Sequence, residues 1–294
     1  MGYRRILGIL DGKRALITGA GQGLGHSYAI FMAREGASIV ANDIDGPAAA
    51  QTVREIETAG GKAIPHTGNI GHWDTAKEAV QLSISTFGSI DVVVNNAGIT
   101  HEAELKDETE EHLDSILETN LKGTFAVAYH AVHQMMTQGS GSIVNVTSGA
   151  QAGHSGRSAY SASKGAVAGF TFAWAQELAP HGIRVNAISP TAQTRMSEPL
   201  PPGSEPPALR RPENVAPLVA YLSSDEASHV TGQVLRLNRD VLSLFSPPRP
   251  GFEAIHEEAW TLEAIRQHFG TTIGMHLEPI GVTAQGYMYQ DGVS

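Results

Sequence analysis

A doubly wound α/β fold, one mostly parallel sheet with helices on both faces, is the architecture this sequence predicts, on three observations. Short β-branched runs alternate with longer amphipathic segments through residues 1–240, the rhythm of βα units on a parallel sheet. One run, "IDVVVNNAG", is nearly all apolar before its Asn pair, as expected of a strand covered on both faces. The first run ends in a glycine-rich turn, "TGAGQGLG" (Thr18 to Gly25), that opens a helix.

Taken in order, "RALITG" reads as the first strand, "HSYAIFMAREG" as the helix after it and "ASIVAND" as the second strand. "GPAAAQTVREIETAG" is a helix with a Gly-Gly stop, "KAIPHTGNI" a third strand and "DTAKEAVQLSISTFG" a third helix. After the central strand come one long helix through "LDSILETNLKGTFAVAYHAVHQMM", a strand "GSIVNVTS", a helix "AYSASKGAVAGFTFAWAQELAPHG" and a strand "IRVNAISP". Five prolines break the pattern in "SEPLPPGSEPPALRR" (Ser197 to Arg211), a loop able to cover a site. "ENVAPLVAYLSSDEASHV" restores a helix and "GQVLRL" supplies the last expected strand. Residues 1–240 thus read as a single domain. Residues 241–294 read as a C-terminal extension with one short helix, "TLEAIRQHF", and no strand-helix rhythm.

Composition narrows the function. With 294 residues, 41% hydrophobic and 17% charged, the chain can fill one sizeable core. No run approaches the roughly 18 apolar residues needed to span a bilayer. The apolar stretch before Asp11 and Lys13 is too short for a signal peptide, so the expected address is the cytoplasm. The absence of cysteine removes disulfides, thiolate metal sites and thiol nucleophiles together. A net charge of −10 without a basic cluster speaks against a nucleic-acid partner. Of the thirteen histidines, His130 and His133 share a helix face but no third ligand follows them, and no metal is expected.

The glycine turn sits where a backbone must turn sharply and approach another group closely. A helix N-terminus offers free N–H groups and a positive dipole end to a pyrophosphate. Gly19, Gln22, Gly23, Leu24 and Gly25 are therefore candidate dinucleotide contacts. Asp43 ends the second strand about twenty residues on, where a carboxylate can accept from both adenosine ribose hydroxyls and would repel a 2′-phosphate. No arginine follows to welcome that phosphate, so NAD is expected over NADP. Asp45 is the alternative ribose partner, but it is better suited to cap the next helix.

The spacing G-x-x-x-G-x-G (Gly19, Gly23, Gly25), "NNAG" (Asn95 to Gly98) and "YSASK" (Tyr160 to Lys164), each on its expected βα unit, resemble the short-chain dehydrogenase/reductase family over about residues 10–240. The resemblance implies a Rossmann-type single domain and hydride exchange between an alcohol or ketone and a nicotinamide. A phenol with a pKa near 10 is a poor base at neutral pH, and an ammonium one helical turn away favours the phenolate. Tyr160 is thus the implied acid/base. Lys164, at i+4, would tune it and hydrogen-bond the nicotinamide ribose. The family also implies a serine that holds the substrate oxygen and an asparagine that orders a water beside the lysine. Asn120 matches the asparagine. The usual serine position, thirteen residues before the tyrosine, is Thr147, while Ser148 stands twelve before; Ser148 is favoured because loops shorten more readily than strand ends shift. By the same resemblance Asn69 and Ile70 meet the adenine, Asn95, Ala97 and Gly98 flank the adenosine, and Pro190 and Thr194 approach the nicotinamide.

"SPTAQTRM" followed by "RRPENVAPLVAYL" is similar to one branch, the (3R)-hydroxyacyl-CoA dehydrogenase part of type 2 multifunctional enzymes and its single-domain bacterial relatives. That implies a bulky, hydrophobic secondary alcohol such as a hydroxyacyl thioester or a steroid, with a small carbocyclic, terpene or aryl alcohol as the alternative. Gln151, His154 and Arg157 are the candidate substrate contacts. The competing reading from another class is a non-catalytic NAD sensor, which usually loses the Tyr or the Lys. The family implies a homo-oligomer, a dimer or tetramer packed through the long helix.

Overall fold

Among the described residues, eight strands form one sheet in the order β3-β2-β1-β4-β5-β6-β7-β8. In the computed structural model, residues 8–192, 194, 196, 211–238, 240–256 and 259–277 are described. The first half comprises β1 (Arg14–Thr18), α1 (Gly23–Arg34), β2 (Ser38–Asp43), α2 (Gly46–Thr58), β3 (Lys62–Thr67), α3 (Trp73–Phe87) and β4 (Val92–Asn95). The second comprises α4 (Glu110–Ile116), α5 (Thr124–Gln138), β5 (Gly141–Val146), α6 (Ser158–Leu178), β6 (Ile183–Thr191), α7 (Ala216–Ser223) and β7 (Val234–Asn238). Strands β1 to β7 run parallel, and β8 (Val241–Phe245) joins antiparallel to β7.

Alternation along each strand feeds two apolar layers. Ala15 and Ile17 of β1 face a layer with Tyr28 and Met32 of α1 and Val219 and Leu222 of α7. Leu16, between them, faces a layer with Val80 of α3 and Val127 and Met135 of α5. Strands walled on both sides must be apolar at successive positions, which is why β1, β4 and β5 read as continuous hydrophobic runs. Pro65 is tolerated because β3 is an edge strand.

From β1 the sheet grows one way through β2 and β3 and the other way through β4 to β7. The connections therefore part above the carboxyl ends of β1 and β4, the crevice where open α/β sheets bind ligands.

Two features differ from the sequence reading. The expected single long helix is interrupted: between α4 and α5, Leu117–Gly123 winds as a π-helix. The buried Asn120 side chain in that segment is tied to the Ile99 backbone, and such insertions are common at functional sites. The second is β8, which lies in the stretch read as the start of the extension. Contacts divide the chain into units Met1–Phe245 and Ser246–Ser294, and the second holds the short helix α8 (Leu262–His268). The proline-rich stretch 197–210, read as a covering loop, lies outside the described residues.

Candidate active site

The glycine turn joins β1 to α1 with Gly19 and Gly23 at positive φ. A side chain at Gly25 would run into the Gly19 carbonyl, so the helix can seat against the turn only with glycine there. Gln22, the exposed N-cap of α1, makes no side-chain cap. The first N–H groups of the helix are thereby left to an outside acceptor, as a pyrophosphate cradle requires. Leu24 packs partly into the core, and Thr194 lies over Gly23, its Cγ2 3.7 Å from where a Cβ would stand.

Asp43 is buried at the end of β2. Its Oδ2 accepts from Gly21 N–H at 2.8 Å and its Oδ1 from Asp45 N–H at 3.0 Å. Asp45 caps α2 by accepting from Ala48 N–H at 3.1 Å. The two carboxylates therefore divide the work, one held beside the glycine turn and one spent on a helix end.

The "NNAG" segment is fastened to that turn by residues the sequence reading passed over. Thr18 Oγ1 accepts from Asn96 and Ala97 N–H, both at 3.0 Å, and Asn96 Nδ2 donates to the Thr18 and Gly19 carbonyls at 2.9 and 3.1 Å. Asn95, expected beside the adenosine, has its side chain buried on a face of the sheet, against its neighbour on β5. There its Nδ2 donates to Asn145 Oδ1 at 2.9 Å, because successive strand residues face opposite sides. Ile70, expected at the adenine, has its side chain buried among apolar neighbours, while Asn69 Oδ1 accepts from Gly71 N–H at 3.0 Å. Pro190 sits within β6, paired with Leu237 of β7. The signal for Thr18, Gly21 and Asn96 was present in the same motifs, as the question of where a tight turn's N–H and C=O groups find partners.

Tyr160 and Lys164 lie in the first turns of α6, both buried. Burial raises the Tyr160 phenol above its ordinary 10.0; a hydrogen bond from the Ser148 hydroxyl and the charge of Arg157 act the other way. Lys164, expected to lower that pKa, is the buried cation beside the ring. Its Nζ is 5.7 Å from the tyrosine ring centre and donates to the Val146 carbonyl at 2.8 Å. Its own burial brings it down to about 8. The four-residue spacing put the two groups on one face, but desolvation weakens the ammonium that was to do the tuning. Gly98 opens the space beside them: a Cβ there would stand 3.2 Å from Asn120 Oδ1 and 3.4 Å from Lys164 Nζ.

Ser148 and Thr147 separate clearly. Thr147 is buried, with its hydroxyl 2.9 Å from the Lys164 carbonyl and 3.1 Å from Gln151 Oε1. Ser148 accepts from Ala150 N–H at 3.2 Å, and its hydroxyl acts to lower the pKa of the Tyr160 phenol. Asn120, expected to order a water beside the lysine, has both side-chain groups engaged. Oδ1 accepts from Ile99 N–H at 2.8 Å, and Nδ2 donates to Ile99 O at 3.0 Å and Ser163 Oγ at 3.1 Å. Of the candidate substrate contacts, Arg157 is half-buried and paired with Glu102, a partner 55 positions away. His154 is exposed with Nδ1 2.7 Å from the Ser155 carbonyl, outside the group around the phenol. His130 packs against Trp73 and Tyr129, and among the described residues belongs to no ligand cluster.

A tyrosine, a serine, a lysine and a glycine-rich turn are thus gathered at the carboxyl ends of β1, β4 and β5. Residues 13–204 match the family model described as short chain dehydrogenase. The chain is a short-chain dehydrogenase/reductase. As such it is an oxidoreductase acting on CH–OH or keto groups with a nicotinamide cofactor. It is 43% identical over 239 residues to the 3-oxoacyl-[acyl-carrier-protein] reductase FabG of Thermotoga maritima, covering 78% of this chain and 97% of the relative. A FabG of Staphylococcus epidermidis is 38% identical over 245 residues, at 77% and 97% coverage. Among solved structures, a short chain dehydrogenase from Mycobacterium avium superposes with a TM-score of 0.83 at 35% identity, covering 91% of this chain and 96% of that one. A short-chain type dehydrogenase/reductase from Mycobacterium marinum gives 0.72 at 33% identity, with 78% and 95% covered. No described helix of this short-chain dehydrogenase/reductase is long and apolar enough to cross a membrane.

Proposed function

We propose that this short-chain dehydrogenase/reductase interconverts a hydrophobic ketone and its secondary alcohol with NAD(H), Tyr160 serving as acid/base. The carrying observation is the buried Tyr160 phenol, on whose titration the Ser148 hydroxyl acts, four residues before a buried lysine. The nicotinamide, when bound, supplies or accepts the hydride. Tyr160 delivers or removes the proton at the substrate oxygen, and Ser148 holds that oxygen by a second hydrogen bond. Burial raises the pKa of the phenol, and a protonated phenol is the form that donates to a ketone oxygen. In this reading Lys164, anchored at Val146, hydrogen-bonds the nicotinamide ribose. Asn120 acts through position, clamping the Ile99 backbone next to Gly98.

The substrate we infer is a 3-oxoacyl thioester or similarly bulky ketone, since the relatives named above carry the name 3-oxoacyl-[acyl-carrier-protein] reductase. With acetoacetyl-CoA and NADH, Ser148→Ala is expected to lose roughly a hundredfold in kcat, within the 10²–10⁴ range of acid–base and oxyanion contacts. Thr147→Val is expected to lose stability instead, its hydroxyl being bonded to α6. Equal activity losses in the two variants would reverse the assignment.

Asp43 supports NAD over NADP: a carboxylate fixed beside the glycine turn would meet a 2′-phosphate with like charge. Asp43→Ser should raise the KM for NADH about tenfold and improve relative use of NADPH, read from steady-state kinetics with both cofactors. A parent enzyme that already prefers NADPH would refute this preference. Self-association is supported by the partly exposed aromatic side chains of Trp73, Phe125 and Tyr129, which pack against one another along α3 and α5.

A further inference from the structure

The segment after the "NNAG" turn holds a cluster that the proposed reaction does not use. His101, Glu108 and His112 each present one ligand atom, all within 4.8 Å of one another. His101 lies on the loop after β4, Glu108 just ahead of α4 and His112 within it. The two imidazoles are stacked, with ring centres 3.5 Å apart and planes 29° from parallel. Glu108 Oε1 accepts from Thr109 N–H at 3.2 Å and is 3.4 Å from His112 Nδ1. Glu108 Oε2 is shut off from solvent without a hydrogen-bond partner, and so is His112 Nδ1.

A carboxylate oxygen withdrawn from water without a donor is costly, and a cation would supply what it lacks. Lys106, the one Lys or Arg in residues 101–112, is engaged with Glu104 at 3.0 Å. Six acids share that stretch with it, so the local charge also favours a cation.

We propose that His101, Glu108 and His112 bind a zinc ion, with water completing a tetrahedron. Two imidazoles and a carboxylate form a zinc donor set, whereas magnesium and calcium take oxygen ligands. Binding requires the ligand atoms to close to about 3.3 Å, the separation set by Zn–N bonds of about 2.0–2.1 Å. Side-chain rotation of three partly exposed groups can supply that closure. The ion would brace the loop against α4. Glu102, next to His101, holds Arg157, and Ala103 N–H donates to the Gly156 carbonyl at 2.9 Å, so the braced segment is the one that straps the loop between Ser148 and Tyr160. None of the three ligands is a group assigned to the reaction, and the site stands or falls apart from it.

The test is a titration of the chelator-stripped full chain with Zn²⁺ in competition with a chromophoric chelator. One saturable equivalent per chain is expected, unaffected by excess Mg²⁺, with a raised unfolding temperature. Co²⁺ at the same site should give the visible absorption of a four-coordinate ion. His101→Gln and His112→Gln should each abolish that equivalent. His72→Gln, which removes a different histidine–carboxylate pair (3.2 Å to Glu118), should leave it intact. Circular dichroism of the zinc-free variants checks their fold, and Glu108→Ala serves as the third reading should either histidine variant unfold. No saturable equivalent, retention in the His101 and His112 variants, or equal loss in His72→Gln would overturn the proposal and leave His112 and Glu108 a plain ion pair.

Discussion

Tyr160→Phe is expected to lower kcat for ketone reduction by at least about 10²–10⁴-fold, the range spanned by a positioned general acid, while NADH still binds. Phenylalanine keeps the buried ring and removes only the hydroxyl. No hydrogen bond from that hydroxyl to the backbone anchors α6, since the helix start is held by Ser161 N–H to the Arg157 carbonyl and by Thr147 to the Lys164 carbonyl. The expected loss is therefore in chemistry and not in folding. Among the described residues, Ser148 is an alkyl alcohol and a far weaker acid than a phenol, and Lys164 donates to the Val146 carbonyl at 2.8 Å. NADH fluorescence titration and thermal unfolding should match the parent, with only the absorbance-monitored turnover collapsing. Turnover that survives unchanged would remove Tyr160 from the mechanism. Intact NAD binding in a parent that reduces no ketone would instead favour a sensor.

The parts of this arrangement legible in the sequence are those fixed by local geometry or by burial on both faces. Strands such as Val92–Asn95 are apolar throughout because two layers cover them, and the glycine turn must be glycine because Gly25 meets the Gly19 carbonyl. What escaped depends on partners far along the chain. The π-helical turn at Leu117–Gly123 goes with a clamp between Asn120 and Ile99, and seven residues are too few for hydrophobic period to distinguish it from an α-helix. Arg157 is legible as a charged loop residue, but its partner Glu102 is not. Asn95 and Asn96 look equivalent in "NNAG"; only the pleat decides that one is buried against Asn145 and the other holds the turn. The depth at which Lys164 is buried, which lowers its own pKa to about 8, is likewise not legible in a four-residue separation.

That burial leads to the second large effect, in which function and stability move in opposite directions. Lys164→Met is expected to abolish turnover and yet unfold at a higher temperature than the parent at pH 7. Folding brings the lysine from its ordinary 10.5 down to about 8, a difference corresponding to about 3 kcal/mol at 1.36 kcal/mol per pKa unit. In the folded state the cost is that of holding an ammonium away from water with the Val146 carbonyl as its acceptor. Methionine has a similar length and no charge, so it fills the space and removes the cost. Against this, the Val146 carbonyl loses a donor, worth about 1–3 kcal/mol. The balance favours the variant by roughly 1 kcal/mol, or about 2–4 °C for a domain of this size. The sign follows from linkage. Below about pH 8 the lysine is charged in both states and the parent bears the full cost. Between 8 and 10.5 the unfolded chain binds the extra proton, so parent stability rises with pH, and above 10.5 the cost is gone. The variant's advantage should therefore be largest at neutral pH and shrink as the pH approaches 10. A variant less stable than the parent at pH 7 would mean that the ammonium is compensated by more than Val146, and that the lysine is held for the fold as well as for the chemistry.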